Sequence, residues 1–139
     1  MNRPEYIIIH HSLTKDSGTV SWQAIRRYHM QMLGWRDIGY HYGVERVNGQ
    51  YEILIGRLPH EPGAHCRGYN SRSLGVCVVG NFDLAPPSPE QFAAAGRLVR
   101  GLMNCYKVPV QNVVGHRRFS RKSCPGSNWD MGAFRSMIL

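Results

Sequence analysis

The stretch Gly115-His116-Arg117-Arg118-Phe119-Ser120-Arg121-Lys122-Ser123-Cys124-Pro125 brings an imidazole, an ammonium and a thiol close together in the chain. Imidazole nitrogen and thiolate sulfur are preferred zinc ligands, and a catalytic zinc takes three protein ligands and keeps one position for water. His116 and Cys124 would supply two of the three. The third is sought in Tyr6-Ile7-Ile8-Ile9-His10-His11-Ser12, where an apolar run ends in a pair of histidines. If that run is a strand, its side chains alternate between faces, so at most one of the pair faces a given site. Zinc so held lowers the pKa of its water towards roughly 7, which suits hydrolysis at neutral pH.

The other metal-competent residues read more quietly. His29 falls on the apolar stripe of a helix and is expected in the core, and His41 is expected to pack or to back up a site residue. Cys77 and Cys105 fall in a buried strand and a helix and are expected to be inert. A long loop carries His60, His65 and Cys66; His65 is the better candidate for a substrate contact, and Cys66 could be exposed there.

These groups need a scaffold, and 139 residues suffice for one domain, residues 1–139, with its own core. A hydrophobic share of 42% with 19% charged residues excludes a disordered chain. No apolar run approaches the roughly 18 residues of a membrane span. A basic region followed by an apolar stretch and a cleavage site is missing, so no signal peptide is read, and synthesis in a reducing cytoplasm is expected. There the four cysteines stay thiols or bind metal, and without a Cys-x-x-Cys pair a structural zinc ribbon is disfavoured. The net charge of +8, from fourteen arginines and three lysines against nine carboxylates, favours anionic partners: nucleic acid, acidic membrane or the polymers of a bacterial wall. No nucleic-acid-binding module accompanies that charge.

Tyr6 to His10 reads as a strand buried on both faces, because its apolar residues are consecutive and β-branched. Ser12 to Gly18 reads as loop. Trp22, Ile25, His29 and Met32 recur at helical spacing from Ser21 to Leu33, and Gly34 closes that helix. Ile38 to Arg46 alternates as a strand, Asn48-Gly49 turns it, and Tyr51 to Ile55 returns. Pro59 to Arg72 is a long irregular loop of the kind that often carries function. Leu74 to Val79 is a buried strand. Ser88-Pro89-Glu90-Gln91 opens a helix with a cap, a proline and a glutamine completing a capping box, and Phe92, Ala95, Val99, Leu102 and Tyr106 form its apolar face. Val113-Val114 is a short strand delivering His116, and Met131 to Ile138 a terminal helix. The pattern predicts an α/β, mixed α+β fold with a central mixed sheet flanked by helices.

Five motifs in order then carry a resemblance. They are Ile8-Ile9-His10-His11-Ser12, Trp35-Arg36-Asp37-Ile38-Gly39-Tyr40-His41-Tyr42, Gly63-Ala64-His65-Cys66-Arg67-Gly68-Tyr69-Asn70, Ser73 to Gly80, and Gly115-His116 through Lys122-Ser123-Cys124-Pro125. From about residue 5 to 130 the chain resembles the zinc-dependent N-acetylmuramoyl-L-alanine amidases of bacteriophage endolysins and peptidoglycan recognition proteins. The resemblance implies Zn2+ on His10, His116 and Cys124, Tyr40 and Lys122 as the catalytic pair, and His65 and Asn70 in or near the glycan-peptide groove. It implies a zinc site in a surface cleft and hydrolysis of the amide between muramic acid and L-alanine. A compact ammonium at Lys122 suits an oxyanion, and Tyr40 suits orientation of water better than proton abstraction.

The branch that recycles wall fragments in the cytosol carries aspartate where this chain has Cys124, and a glutamate near the Ser73–Gly80 strand, which is absent here. The chain therefore matches the endolysin and recognition-protein branch. The expectation is a phage or prophage endolysin, a cell-wall-degrading monomer made in the cytoplasm and acting on peptidoglycan after release, without nucleic-acid partners or stable membrane insertion. The competing readings are a catalytically silent peptidoglycan-binding module, usually marked by loss of the cysteine, and a recycling amidase.

Overall fold

A computed structural model describes residues 3–14 and 21–139. The run of isoleucines forms β1 (Tyr6–His11), buried along nearly its whole length. It lies between β4 (Ser73–Val78) and β5 (Val113–Gly115), parallel to both. β2 (Tyr42–Val47) runs parallel to β4 on its other side, and β3 (Gln50–Ile55) closes the sheet as an antiparallel edge. The order β3-β2-β4-β1-β5 makes a mixed sheet, as expected. Asn48 and Gly49, both at positive φ (52° and 80°), form the tight turn between β2 and β3.

β1 separates its residues by face. Ile7 and Ile9, with Leu74, Val76 and Val78 of β4, pack against α2 (Pro89–Tyr106) and α3 (Met131–Met137) through Ala95, Val99, Leu102 and Phe134. Ile8 packs on the opposite face with Cys66 and Val114. Beside it Trp22 of α1 (Trp22–Arg27), Ile38 and Cys77 make a third cluster. Ser88 caps α2 by accepting from the Gln91 N–H at 3.1 Å. Among the described residues no helix is long and apolar enough to cross a membrane.

Several local expectations are corrected. The strand expected from Ile38 begins only at Tyr42. Residues 38–41 instead run as irregular buried chain, because other partners take their backbone groups: Arg57 Nε donates to Ile38 O, Arg57 N to Tyr40 O, and His41 N to Gly75 O. Helix α1 stops at Arg27 and continues as a π-helix over Tyr28–Met32, so the stripe loses phase and Met32 stands 74% exposed. Gln91 does not complete a capping box; its Nε2 donates to Val79 O at 2.9 Å and ties α2 to the sheet. Cys66 is buried rather than exposed, and Cys105 is exposed on α2. The loop expected over 12–18 lies mostly outside the described residues.

Candidate metal centre

The site forms at the C-terminal ends of the parallel strands β1 and β5. His10 is the last-but-one residue of β1, on the same face as Ile8, while alternation sends His11 to the helix-covered face. There His11 Nδ1 accepts from the Phe82 N–H at 3.1 Å and its ring stacks on Phe82. His116 follows β5 directly, at the start of a 3-10 turn over His116–Arg118. The segment after that turn folds back on it: Arg117 N donates to Cys124 O at 2.7 Å. Asp83 anchors this return, accepting from Ser123 Oγ and from Ser127 N, each at 2.9 Å. A Cβ on Gly115 would lie 2.7 Å from Pro125 Cδ, so only glycine there lets the Cys124-Pro125 stretch reach the strand.

One ligand atom from each of His10, His116 and Cys124 lies within 4.8 Å of the others. His10 Nδ1 is 3.7 Å from Cys124 Sγ. Two ligands of a tetrahedral zinc, bonded at about 2.0 and 2.3 Å, stand about 3.5 Å apart, so this set fits the metal. Burial, reinforced by His65 and His116, holds the His10 pKa well below its ordinary value; burial and then Lys122 lower that of His116. Both imidazoles are thus neutral with a lone pair to give. Burial pushes the Cys124 thiol up to about 11, so it becomes a thiolate only when a cation binds its sulfur and displaces the proton to solvent.

Tyr40 reaches the site from the irregular segment before β2, its ring 5.1 Å from that of His10. Burial first, then Cys77 and Cys124, raise its phenol well above 10, and its hydroxyl bonds to the Cys77 thiol. Lys122 is exposed beside the site, and its charge acts on His10, His116 and Cys124. His65 is buried, with Nδ1 2.8 Å from His10 Nε2 and Nε2 3.2 Å from Ser73 Oγ. Asn70 Oδ1 accepts from the backbone N–H of His65 and of Cys66, at 2.7 and 2.9 Å, and so braces the loop that carries His65. His41 is fully buried behind His65: its Nδ1 accepts from Gly75 N and its Nε2 donates to Glu61 O.

Sequence reasoning missed Ser73, Gly75 and Cys77. The sequence held a signal for Gly75, and the register of the sheet accounts for Cys77. A glycine inside a buried strand marks a close approach, and a Cβ on Gly75 would lie 2.6 Å from the His65 ring. Cys77 pairs in register with His10, which sets it on the same face of the sheet. A hollow of about 460 Å³ opens from Tyr40 past His29, Tyr28 and Ile25. Larger hollows lie at the hairpin and beside α3, but neither holds a group of ligand side chains.

Residues 1–127 match the family described as N-acetylmuramoyl-L-alanine amidase. An endolysin of Enterobacteria phage K11 is 35% identical over 122 residues, covering 84% of this chain and 77% of the endolysin. The peptidoglycan-recognition protein SC2 of Drosophila melanogaster is 32% identical over 133 residues, covering 91% of this chain and 71% of that protein. Among solved structures, the N-acetylmuramoyl-L-alanine amidase LysC from Clostridium intestinale URNW superposes with a TM-score of 0.85 at 30% identity, over 98% of this chain and 85% of that one.

Proposed function

This chain belongs to the N-acetylmuramoyl-L-alanine amidase family, and from that premise we propose that residues 1–139 act as one zinc-dependent catalytic domain. It hydrolyses the amide between the lactyl group of N-acetylmuramic acid and L-alanine in peptidoglycan, as an endolysin of a phage or prophage. The observation that carries this reading is the convergence of His10, His116 and Cys124 on one point. When bound, zinc supplies Lewis acidity and acidifies a water.

The chain's own groups do the rest. Two neutral imidazoles and one thiolate leave the centre with a net positive charge, which favours the developing oxyanion of the attacked carbonyl. Lys122 adds an ammonium from the solvent side and shares that task. Tyr40, kept protonated by burial, serves as a hydrogen-bond donor that orients water or the scissile carbonyl, and is not a base. His65 and Asn70 belong to the inner wall of the substrate groove, with Asn70 holding the loop in shape. The excess of arginine supplies adhesion to an anionic wall.

The test joins metal analysis to product identification. The purified protein is expected to carry about one zinc per chain and to release L-alanine amino termini from sacculi without new reducing sugar ends. Reducing ends would make it a glycosidase and overturn the reading. Tight binding to sacculi without any release would make it a silent recognition module.

A further inference from the structure

Four groups form a hydrogen-bonded row leading away from the candidate metal centre: His10, His65, Ser73 and the carbonyl of Tyr69. The polarity of this row follows from its far end. A carbonyl oxygen only accepts, so Ser73 Oγ, 2.7 Å from Tyr69 O, donates its single hydrogen there. Towards His65 Nε2, at 3.2 Å, the same oxygen can then only accept, so His65 carries its proton on Nε2. The Nδ1 of His65 is left as a lone pair. It lies 2.8 Å from His10 Nε2, which must therefore be the N–H of that ring. By elimination His10 Nδ1 is bare, and it is this atom that stands 3.7 Å from Cys124 Sγ.

We propose that His65 is a positioning residue, acting through His10: it holds that ring as the Nε2–H tautomer with the Nδ1 lone pair aimed at the metal, with the direction set by Ser73 and the Tyr69 carbonyl. The inference rests on the zinc reading of His10 given above. Its mechanical basis is a fitted slot. A Cβ on Gly75 would lie 2.6 Å from His65 Cγ, and one on Gly63 would lie 2.5 Å from His65 Cδ2. The ring meets that of His10 edge-on, at 86° and 4.9 Å between centroids. Histidine ligands usually give their second N–H to a carboxylate, a carbonyl or a water. An uncharged imidazole in that place orients the ligand without adding negative charge, so the positive charge of a two-histidine, one-cysteine centre is left intact for the oxyanion.

The test reads tautomers and zinc affinity on the full chain. Long-range proton–nitrogen correlation spectra of the 15N-labelled protein, zinc-free and zinc-loaded, are expected to show His65 protonated on Nε2 in both states. Zinc affinity, measured by competition with a chromophoric chelator, is expected to fall about 10–100-fold in His65→Phe, which fills the slot without an acceptor. His65→Asn, whose side-chain oxygen falls near the position of Nδ1, should recover most of that loss, and Ser73→Ala should show a smaller one. A proton on His65 Nδ1, or a folded His65→Phe that binds zinc as tightly as wild type, would overturn the inference. So would His65→Asn performing no better than His65→Phe. If His65→Phe does not fold, the wild-type spectra still decide the polarity. A wild-type chain that took up no zinc would instead remove the proposed function, while the tautomers of His65 and His10 would still judge the row itself.

Discussion

A single methyl group added at two glycines should act with opposite sign. Gly75 lies in the middle of β4, and a Cβ there would meet His65 Cγ, Cδ2 and Nδ1 at 2.6, 2.7 and 2.8 Å. Ordinary carbon contacts are about 3.5–4.0 Å, so the ring must retreat by about 1 Å. Gly63 also approaches this ring closely, since a Cβ there would lie 2.5 Å from His65 Cδ2. Retreat stretches the 2.8 Å bond to His10 beyond useful length, and overpacking of this kind costs about 1–3 kcal/mol. Gly101 is the control. It sits exposed in α2, where an added Cβ would meet no atom within 4 Å, and alanine there should stabilise by about 0.5–1 kcal/mol through helix propensity. Urea midpoints of Gly75→Ala and Gly101→Ala should thus move to opposite sides of wild type, and zinc affinity should fall only in Gly75→Ala, by about 10–100-fold. A Gly75→Ala protein with wild-type midpoint and wild-type zinc affinity would refute the packing argument.

Lys122→Ala and Tyr40→Phe should keep zinc and fold yet lose about 10²–10³ in turnover on sacculi, as expected for groups that serve the transition state; near wild-type turnover in both would remove their assigned roles. His11→Ala should retain zinc but lose about 1–3 kcal/mol, because the Phe82 N–H is left without its buried acceptor, whereas His10→Ala should lose the metal; equilibrium unfolding and metal analysis separate the two. Stability should decline on acidification below about pH 6.5, the unfolded value for histidine. Burial holds the His41 pKa below that value, so its contribution is fully present above pH 6.5 and is lost as pH falls towards the folded pKa. A proton on its Nδ1 would face the Gly75 N–H. His41→Gln should flatten the dependence of the urea midpoint between pH 8 and 5, and an unchanged slope would show that His41 takes up its proton alike in the folded and unfolded chains, which would refute this assignment.

What could be read in advance was what local chemistry dictates. Consecutive isoleucines need burial on both faces, Asn48-Gly49 tolerates positive φ, and Ser88-Pro89 supplies a helix cap and a proline suited to the first turn. Such features depend on few neighbours. The irregular course of residues 38–41 depends instead on Arg57 and Gly75, which sit far along the chain and take up its backbone groups. Gln91 fits a capping box by sequence, but a buried carbonyl at Val79 offers a better partner once the sheet exists. Ligand chemistry alone pointed to His116 and Cys124, and the family resemblance chose His10 from its pair, whereas the role of His65 beside His10 became visible only with the slot formed by Gly63 and Gly75. The resemblance grouped Asn70 with His65, and the structure shows what ties the two together: the N–H groups of His65 and Cys66 that Asn70 receives.

His10 and Cys124 are separated by 114 positions, yet they face each other across 3.7 Å. On a ribosome, β1 therefore emerges long before the thiol that completes its site, and its own neighbours β4 and β5 are also still to come. Until then a growing chain offers a passing metal ion only part of that ligand set. Capture waits until the sheet has closed around β1, so an ion found there reports a finished molecule. Zinc bound there as proposed would favour the folded chain as a whole by RT ln(1 + [Zn]/Kd). Metal shortage would then be felt as a loss of stability of the entire chain, apart from any loss of chemistry.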